Sequence, residues 1–401
     1  MIRSRKYCRV ELYMKITVIG NGGREQSIRW KLEQEGHVLE EGADFVVIGP
    51  EVPIAQGMVE QLQNENKTVF APSKLAGRLE TSKVWSKQFM RRHNIPTANF
   101  NVYKRTEIAK VINETKLPFV VKEDGLCGGK GVAVCHTEIE QQNAKISYHK
   151  NTFGSNTDDV LIEQLVAGEE VSCFVLTDGD SYKILPYCQD HKRVLDGDRG
   201  PNTGGMGSYA PAPLVTEKLN KKIIEQVIEP TLSGMKQENN IYIGVLYIGL
   251  IILDDEINVI EYNVRFGDPE CQTLMMLMKS ELFPYLQACT NGTLFQLPDP
   301  VFYSGSSITI CMCSEGYPGH SQDKSCEIFG LENDFGENVE IFHAGTTRGN
   351  KIYTNGGRVL NVTSRADTLL RAKKQAEDAC EKISWEGCFY RKDIGHKAIP
   401  R

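Results

Sequence analysis

The sequence predicts a multidomain protein of mixed α/β and α+β class, opening with a Rossmann-like parallel sheet and closing with a small β-rich domain. Three observations carry this. First, short apolar runs alternate with helical patterns near the start: Lys15–Ile19, a helix burying Ile28 and Leu32, then Phe45–Ile48. Second, Gly244–Leu253 and residues 257–264 flank Asp254-Asp255 as an extended hairpin. Third, after residues 298–300 the chain turns to short strands with glycine turns such as Asn355-Gly356-Gly357, followed by one helix over about 368–383. A chain of 401 residues is long enough for two or three separate cores.

The elements follow in order. Lys15–Ile19 ends at Gly20-Asn21-Gly22-Gly23 and Phe45–Ile48 at Gly49-Pro50-Glu51, so both loops lie at the carboxyl ends of strands, where α/β sheets bind ligands. Residues 82–93 are helical, with Val84, Trp85, Phe89 and Met90 on one face, and Ile95-Pro96-Thr97 breaks the pattern. Residues 119–122 and Val132–Cys135 form a hairpin around a glycine-rich tip. Residues 160–166 and 171–176 are strands joined through Ala167-Gly168-Glu169-Glu170. Residues 196–208, rich in glycine and polar side chains, read as a loop. Leu219, Ile223, Ile224, Val227 and Ile228 share a helical face that is followed by Pro230.

Composition narrows the function. An apolar fraction of 40% and a charged fraction of 24% fit a soluble globular chain. A net charge of −6 with no basic stripe argues against a nucleic-acid partner. The longest apolar stretch, residues 243–253, is too short to cross a bilayer as a helix, so no membrane partner is expected. Arg3, Arg5, Lys6 and Arg9 surround no apolar core, so residues 1–13 read as a leader, not a secretory signal, with Met14 as the natural start. Twelve cysteines with no Cys-x-x-Cys pair read as reduced thiols of a cytoplasmic protein.

The motifs point to phosphate chemistry. The Gly20 loop misses the third glycine of a dinucleotide fingerprint, because Glu25 stands there. It reads equally as a tight turn or as an anion site at a helix start. The segment from Lys122 to Gly131 fails the P-loop pattern at Asp124 and Gly131, yet offers four glycines and two lysines for a flap over phosphates. Lys122 directly follows an apolar strand, where an unpaired charge would be costly. In Ile260-Glu261-Tyr262-Asn263-Val264-Arg265, alternation puts Ile260, Tyr262 and Val264 on one face and Glu261, Asn263 and Arg265 on the other. A carboxylate and an amide so spaced suit Mg²⁺, and the arginine suits a transferring phosphoryl group. Glu163 and Glu170, taken alone, read as solvated acids.

Together the segments 121–131, 163–170, 189–193, 200–209 (GPNTGGMGSY) and 265–272 (RFGDPECQ) resemble the phosphoribosylamine–glycine ligase family of the ATP-grasp superfamily. Residues 343–345, 354–360 and 389–395 are similar to it as well. The resemblance runs from Met14 to about Ala398, and departs from the family in a shorter stretch between the Gly20 loop and Phe45. It implies a Rossmann-like domain at 14–75, an ATP-grasp domain at 76–300 with a mobile lid at about 97–167, and a C-terminal domain at 301–398. It further implies ATP held by Lys122, Lys130, Glu163, Leu165, Glu170 and Asn263, and Mg²⁺ or Mn²⁺ on Glu261 and Asn263. Arg265, Asp268 and Lys130 would be catalytic. Gly22, Glu51, Asp190, Lys192, Asn202 and Gly204 would bind the substrates, glycine and 5-phosphoribosylamine. The expected protein is a monomer that acts through glycyl phosphate in purine biosynthesis. A carboxylase of the same superfamily shares the nucleotide residues but not GPNTGGMGSY. A non-catalytic nucleotide module would not need the full metal and phosphate set. A dehydrogenase rests on the incomplete Gly20 loop alone.

Overall fold

The computed structural model describes residues 13–128, 131–319 and 325–399. Its first unit is a parallel sheet in the order Val38–Leu39, Lys15–Ile19, Phe45–Ile48, Thr68–Phe70. Every residue of Phe45–Ile48 is buried, as a central parallel strand covered on both faces requires. The helix Gly23–Gln34 buries Ile28 and Leu32 as expected from their spacing.

A second, antiparallel sheet runs Phe100–Lys104, Asp159–Gln164, Phe119–Glu123, Val132–Cys135. One face packs Phe119, Val121, Val160 and Ile162 against the helices Arg105–Glu114 and Glu138–His149. Alternation turns Val120, Lys122, Leu161 and Glu163 to the other face.

The third sheet, Tyr182–Ile184, Glu169–Thr177, Gly244–Leu253, Glu256–Asn263, is also antiparallel. Asp254 and Asp255 close its hairpin with φ of 51° and 63°, the left-handed pair a two-residue turn demands. Val171, Cys173, Val175, Leu246, Ile248, Leu250, Val259 and Tyr262 enter the largest core with Trp85, Phe89 and Met90 from the helix Lys83–Arg92. Residues Asp159–Gln164 and Glu169–Thr177, adjacent in sequence, lie in different sheets, and Leu165–Gly168 is the crossing between them.

The last sheet is not built from the C-terminal residues alone. Its order is Gln189–Asp190, Gly207–Ala210, Ser306–Cys313, Arg358–Ala366, Val339–His343, so two strands come from the middle of the chain. The helix Leu369–Lys382, capped by Thr368, packs Ala372, Ala376 and Cys380 onto it.

One expectation is corrected here. Residues 196–208 are not all loop: Arg193–Leu195 pairs with Arg199–Asn202, and Gly207 begins a sheet strand. Pro230 does not end its helix, because a π-helical stretch, Ile224–Ile228, widens the turn before it and Glu229–Gln237 continues beyond. All eleven cysteines among the described residues are free.

Candidate active site

The second and third sheets face each other across a cleft. On the third sheet Glu261 stands opposite Gly249 and Ser172, and Asn258 opposite Ile251 and Glu170, all on the face away from the core. Glu261 and Asn263 share that face, two residues apart, with buried Tyr262 between them pointing back. Ile260 departs from the expected alternation. Gly249 pairs with Glu261 and Leu250 with Val259, so Ile260 is the extra residue of a β-bulge and does not join the core with Tyr262 and Val264. The bulge turns the Ile260 carbonyl toward the opposite sheet, where it accepts a hydrogen bond from Lys122 Nζ at 3.1 Å.

Lys122 is 4% exposed, and its ammonium also lies 3.0 Å from Glu163 Oε2. The same oxygen lies 3.0 Å from Lys87 Nζ. Glu163 is therefore no solvated acid but the buried hub of two ion pairs, with its Oε1 lacking any hydrogen-bond partner. Burial and the neighbouring Lys122 push Lys87 down to about 8, against the pull of Glu163. Sequence reasoning missed Lys87 altogether. Its signal was a lysine on the apolar side of the helix, between Val84 and Met90.

Burial works to raise the Glu261 carboxyl, but Lys192, Lys122, Lys83 and Arg265 prevail and hold it below the usual carboxylate range. Lys192 Nζ pairs with Glu170 Oε2 at 2.8 Å on the floor of the same cleft. Where the sheets cross, Leu165 and Val166 line a cavity of about 420 Å³ with Thr97, Gln164, Ile251 and Asn258.

A second group of predicted residues meets beside the first. Arg265 Nε donates to Glu51 Oε2 at 2.9 Å and Nη2 to Glu80 Oε1 at 2.8 Å, while Nη1 reaches the Phe266 carbonyl at 3.2 Å. Burial opposes the Arg265 charge, yet Glu80 and Glu51 raise its pKa further. Glu80, like Lys87, was not anticipated.

A third group surrounds Asp268. Its Oδ1 accepts from Gln272 Nε2 at 2.8 Å and its Oδ2 lies 3.3 Å from Arg358 Nη2. Burial favours the neutral acid, but Arg358 and Arg24 hold its carboxyl below the usual range. Gly204 and Gly205 lie against Arg358, and Gly205 also against Asp190. Burial and the nearby Glu270 push Asp190 up. Asn202 is exposed on the outer hairpin, opposite Arg193. Lys130 lies outside the described residues.

The Gly20 loop has a different outcome from the anion site considered for it. The Gly22 N–H donates to Glu25 Oε2 at 2.7 Å, and Arg24 Nε to Glu25 Oε1 at 2.6 Å. The side chain in the third-glycine position thus fills the turn itself.

Comparison with known proteins agrees across the chain. Residues 36–80, 81–271 and 307–397 match the N, ATP-grasp (A) and C domains of phosphoribosylglycinamide synthetase. The chain is 40% identical to the phosphoribosylamine–glycine ligase of Agrobacterium fabrum over 423 residues, covering 97% of this chain and 99% of that one. That alignment is longer than the chain, so the relative has segments absent here. It is 41% identical to the trifunctional purine biosynthetic protein adenosine-3 of Gallus gallus, covering 96% of this chain but only 42% of that protein. The crystal structure of phosphoribosylamine–glycine ligase from Thermotoga maritima superimposes with a TM-score of 0.81 at 30% identity, over 95% of this chain and 100% of that one. A biotin carboxylase complex from Campylobacter jejuni, at 15% identity and a TM-score of 0.71 over 96% and 94% of the two chains, shares the fold.

Proposed function

The chain belongs to the phosphoribosylglycinamide synthetase family, and from that premise we propose that it ligates glycine to 5-phosphoribosylamine at the expense of ATP in purine biosynthesis. The products are glycinamide ribonucleotide, ADP and phosphate. The observation that carries this reading is the pairing of Glu261 and Asn263 on one sheet face with Lys122 at the neighbouring carbonyl.

The residues fit the expected ligands. Adenine enters the cavity lined by Leu165 and Ile251, and Glu163, just before Leu165 on the strand that leads to it, keeps an unpartnered Oε1 that an exocyclic amine would satisfy. Lys122 and Lys87 lie at the start of the phosphate path, and the family resemblance gives Lys130 to the same phosphates. Glu170 holds the ribose. Glu261 and Asn263 offer hard oxygen donors to Mg²⁺ or Mn²⁺. An ion held there would draw the rest of its ligands from the nucleotide and solvent. When bound, the ion neutralises charge on the phosphates.

Glycine's carboxylate attacks the γ-phosphorus, forming glycyl phosphate and releasing ADP. The amine of 5-phosphoribosylamine then attacks the acyl carbon, and phosphate leaves as the amide forms. Arg265, oriented by Glu51 and Glu80, faces charge developing on the transferred group. Asp268, Asp190, Lys192, Gly204 and Gly22 line the substrate side, with Asn202 beyond them on the exposed hairpin. Gly22 serves there by packing, since its amide is already bonded. Catalysis is positioning plus charge neutralisation.

Among the described residues no helix is long and apolar enough to cross a membrane. The proposed reaction joins two small molecules, and we propose that the enzyme carries it out in the cytoplasm as a monomer. The carboxylase reading rests on fold likeness alone. ADP release, measured with glycine, bicarbonate and freshly generated phosphoribosylamine each omitted in turn, tests the assignment. Release that requires glycine and phosphoribosylamine but not bicarbonate supports it, and release that ignores glycine removes it.

A further inference from the structure

Arg358 lies on the strand Arg358–Ala366 of the C-terminal sheet, yet its side chain reaches out of that sheet into the substrate side. Its Nη1 donates to three carbonyls: Gly204 at 2.8 Å, Gly205 at 3.2 Å and Asp268 at 2.7 Å. Its Nη2 lies 3.3 Å from the Asp268 carboxylate. Two chain segments far from Arg358 and from each other in sequence thus converge on one guanidinium.

The neighbours reinforce the arrangement. The Tyr317 hydroxyl accepts from Gly204 N–H at 3.0 Å, so the residue is held from both ends of its peptide. A Cβ at Gly204 would sit 3.2 Å from Arg358 Cζ, so any larger residue there would press the guanidinium away from its place. Gly205, at φ +117°, would carry a Cβ 2.5 Å from Pro269 Cδ and 2.8 Å from Asp190 Oδ1. The glycine turn is therefore pressed between the Asp268-Pro269 segment, Asp190 and Arg358. Gln272 fixes the other oxygen of Asp268 at 2.8 Å.

We infer that Arg358 is a positioning residue that acts through Asp268 and the Gly204-Gly205 turn, fixing the groups that receive glycine and the sugar amine. The inference rests on the proposed function, and it gives the strand Arg358–Ala366 a direct part in assembling the substrate side of the site. A planar fork suits this task, because Nη1 meets the carbonyls while Nη2 faces the carboxylate from a separate atom, whereas an ammonium has one nitrogen for both.

The test compares Arg358→Ala, Arg358→Lys and Tyr317→Phe with the wild-type chain, measuring KM for glycine, phosphoribosylamine and ATP, kcat, and the melting temperature. In Arg358→Ala the KM of glycine or phosphoribosylamine rises at least tenfold while the KM of ATP stays within twofold. Arg358→Lys restores the charge opposite Asp268, and with it the melting temperature, but leaves that KM raised. Tyr317→Phe shows the same selective rise at smaller size, and decides the matter should Arg358→Ala fail to fold. A KM for both substrates within threefold of wild type in every folded variant overturns the inference, as does an equal rise for ATP. Absence of glycine-dependent ADP release by the wild-type chain defeats the proposed function instead, so the two failures are distinct.

Discussion

At the scale of single residues, the cleft depends on charges that only one another's presence makes tolerable. Glu261→Gln keeps the volume of the side chain but removes the charge from the Glu261 and Asn263 pair. Metal-dependent turnover should fall about 100-fold or more, the equivalent of ~3 kcal/mol of transition-state stabilisation. Circular dichroism should be unchanged, and near-normal turnover would refute the metal assignment. Arg265→Lys replaces a fork held by Glu51 and Glu80 with a point charge. We expect kcat to drop roughly 10- to 100-fold with the KM of ATP little altered. A change in ATP affinity alone would remove Arg265 from the chemical step. Glu261 and Asn263 were legible in the sequence because alternation on a strand is a local property. Lys87 and Glu80 were not, since their partners Glu163 and Arg265 lie 76 and 185 positions further along the chain.

Among elements, the bulge at Ile260 has the clearest consequence. Deleting Ile260 should restore a regular ladder, with Val259 still opposite Leu250 and Glu261 still opposite Gly249, so both faces keep their residues. What is lost is the carbonyl that receives Lys122. The expected variant folds, melts within a few degrees of wild type, and shows a KM for ATP raised about tenfold, the loss of one charge-assisted hydrogen bond. An unchanged KM would show that the bulge is incidental. The signal was present in the sequence: Ile257 and Val259 keep period two, whereas Tyr262 follows Val259 by three. A second element-scale prediction concerns the segment around His191, whose Nε2 accepts from Gly395 N–H at 3.2 Å. Burial, Arg391 and Lys397 push its pKa down to about 3. The unfolded chain, with a pKa near ~6.5, binds the proton first. Stability is therefore full above that value and declines by up to about 1.4 kcal/mol per pH unit on acidification toward 3. His191→Gln, which retains an amide to meet both neighbours, should flatten this slope in melting curves between pH 6.5 and 4. An unaltered slope would assign the acid sensitivity elsewhere.

For the whole molecule, the units meet closely enough that one methyl group matters. A Cβ on Gly23, at the start of the first helix, would overlap Asn361 Nδ2 of the C-terminal sheet and reach Gln272 Nε2 at 2.5 Å. Gly23→Ala should therefore cost about 1–3 kcal/mol of stability, read as a lower melting temperature, although alanine is the better helix former. A variant as stable as wild type would mean that this junction is loose. The parallel sheet, the long hairpin and the last helix could be read from periodicity, because each is a local pattern. The partition into sheets could not. Nothing in residues 189–210 says that two of their strands pair with Ser306–Cys313, since register across a hundred positions is written in packing alone. That pairing carries a corollary for how the protein is made. The ribosome delivers Asp190 and the GPNTGGMGSY turn about a hundred residues before the strand against which they must lie, so that side of the cleft acquires its shape only once Ser306–Cys313 has been made. A chain severed at residue 300 would leave both pieces with bare sheet edges, and the two should regain activity only when mixed.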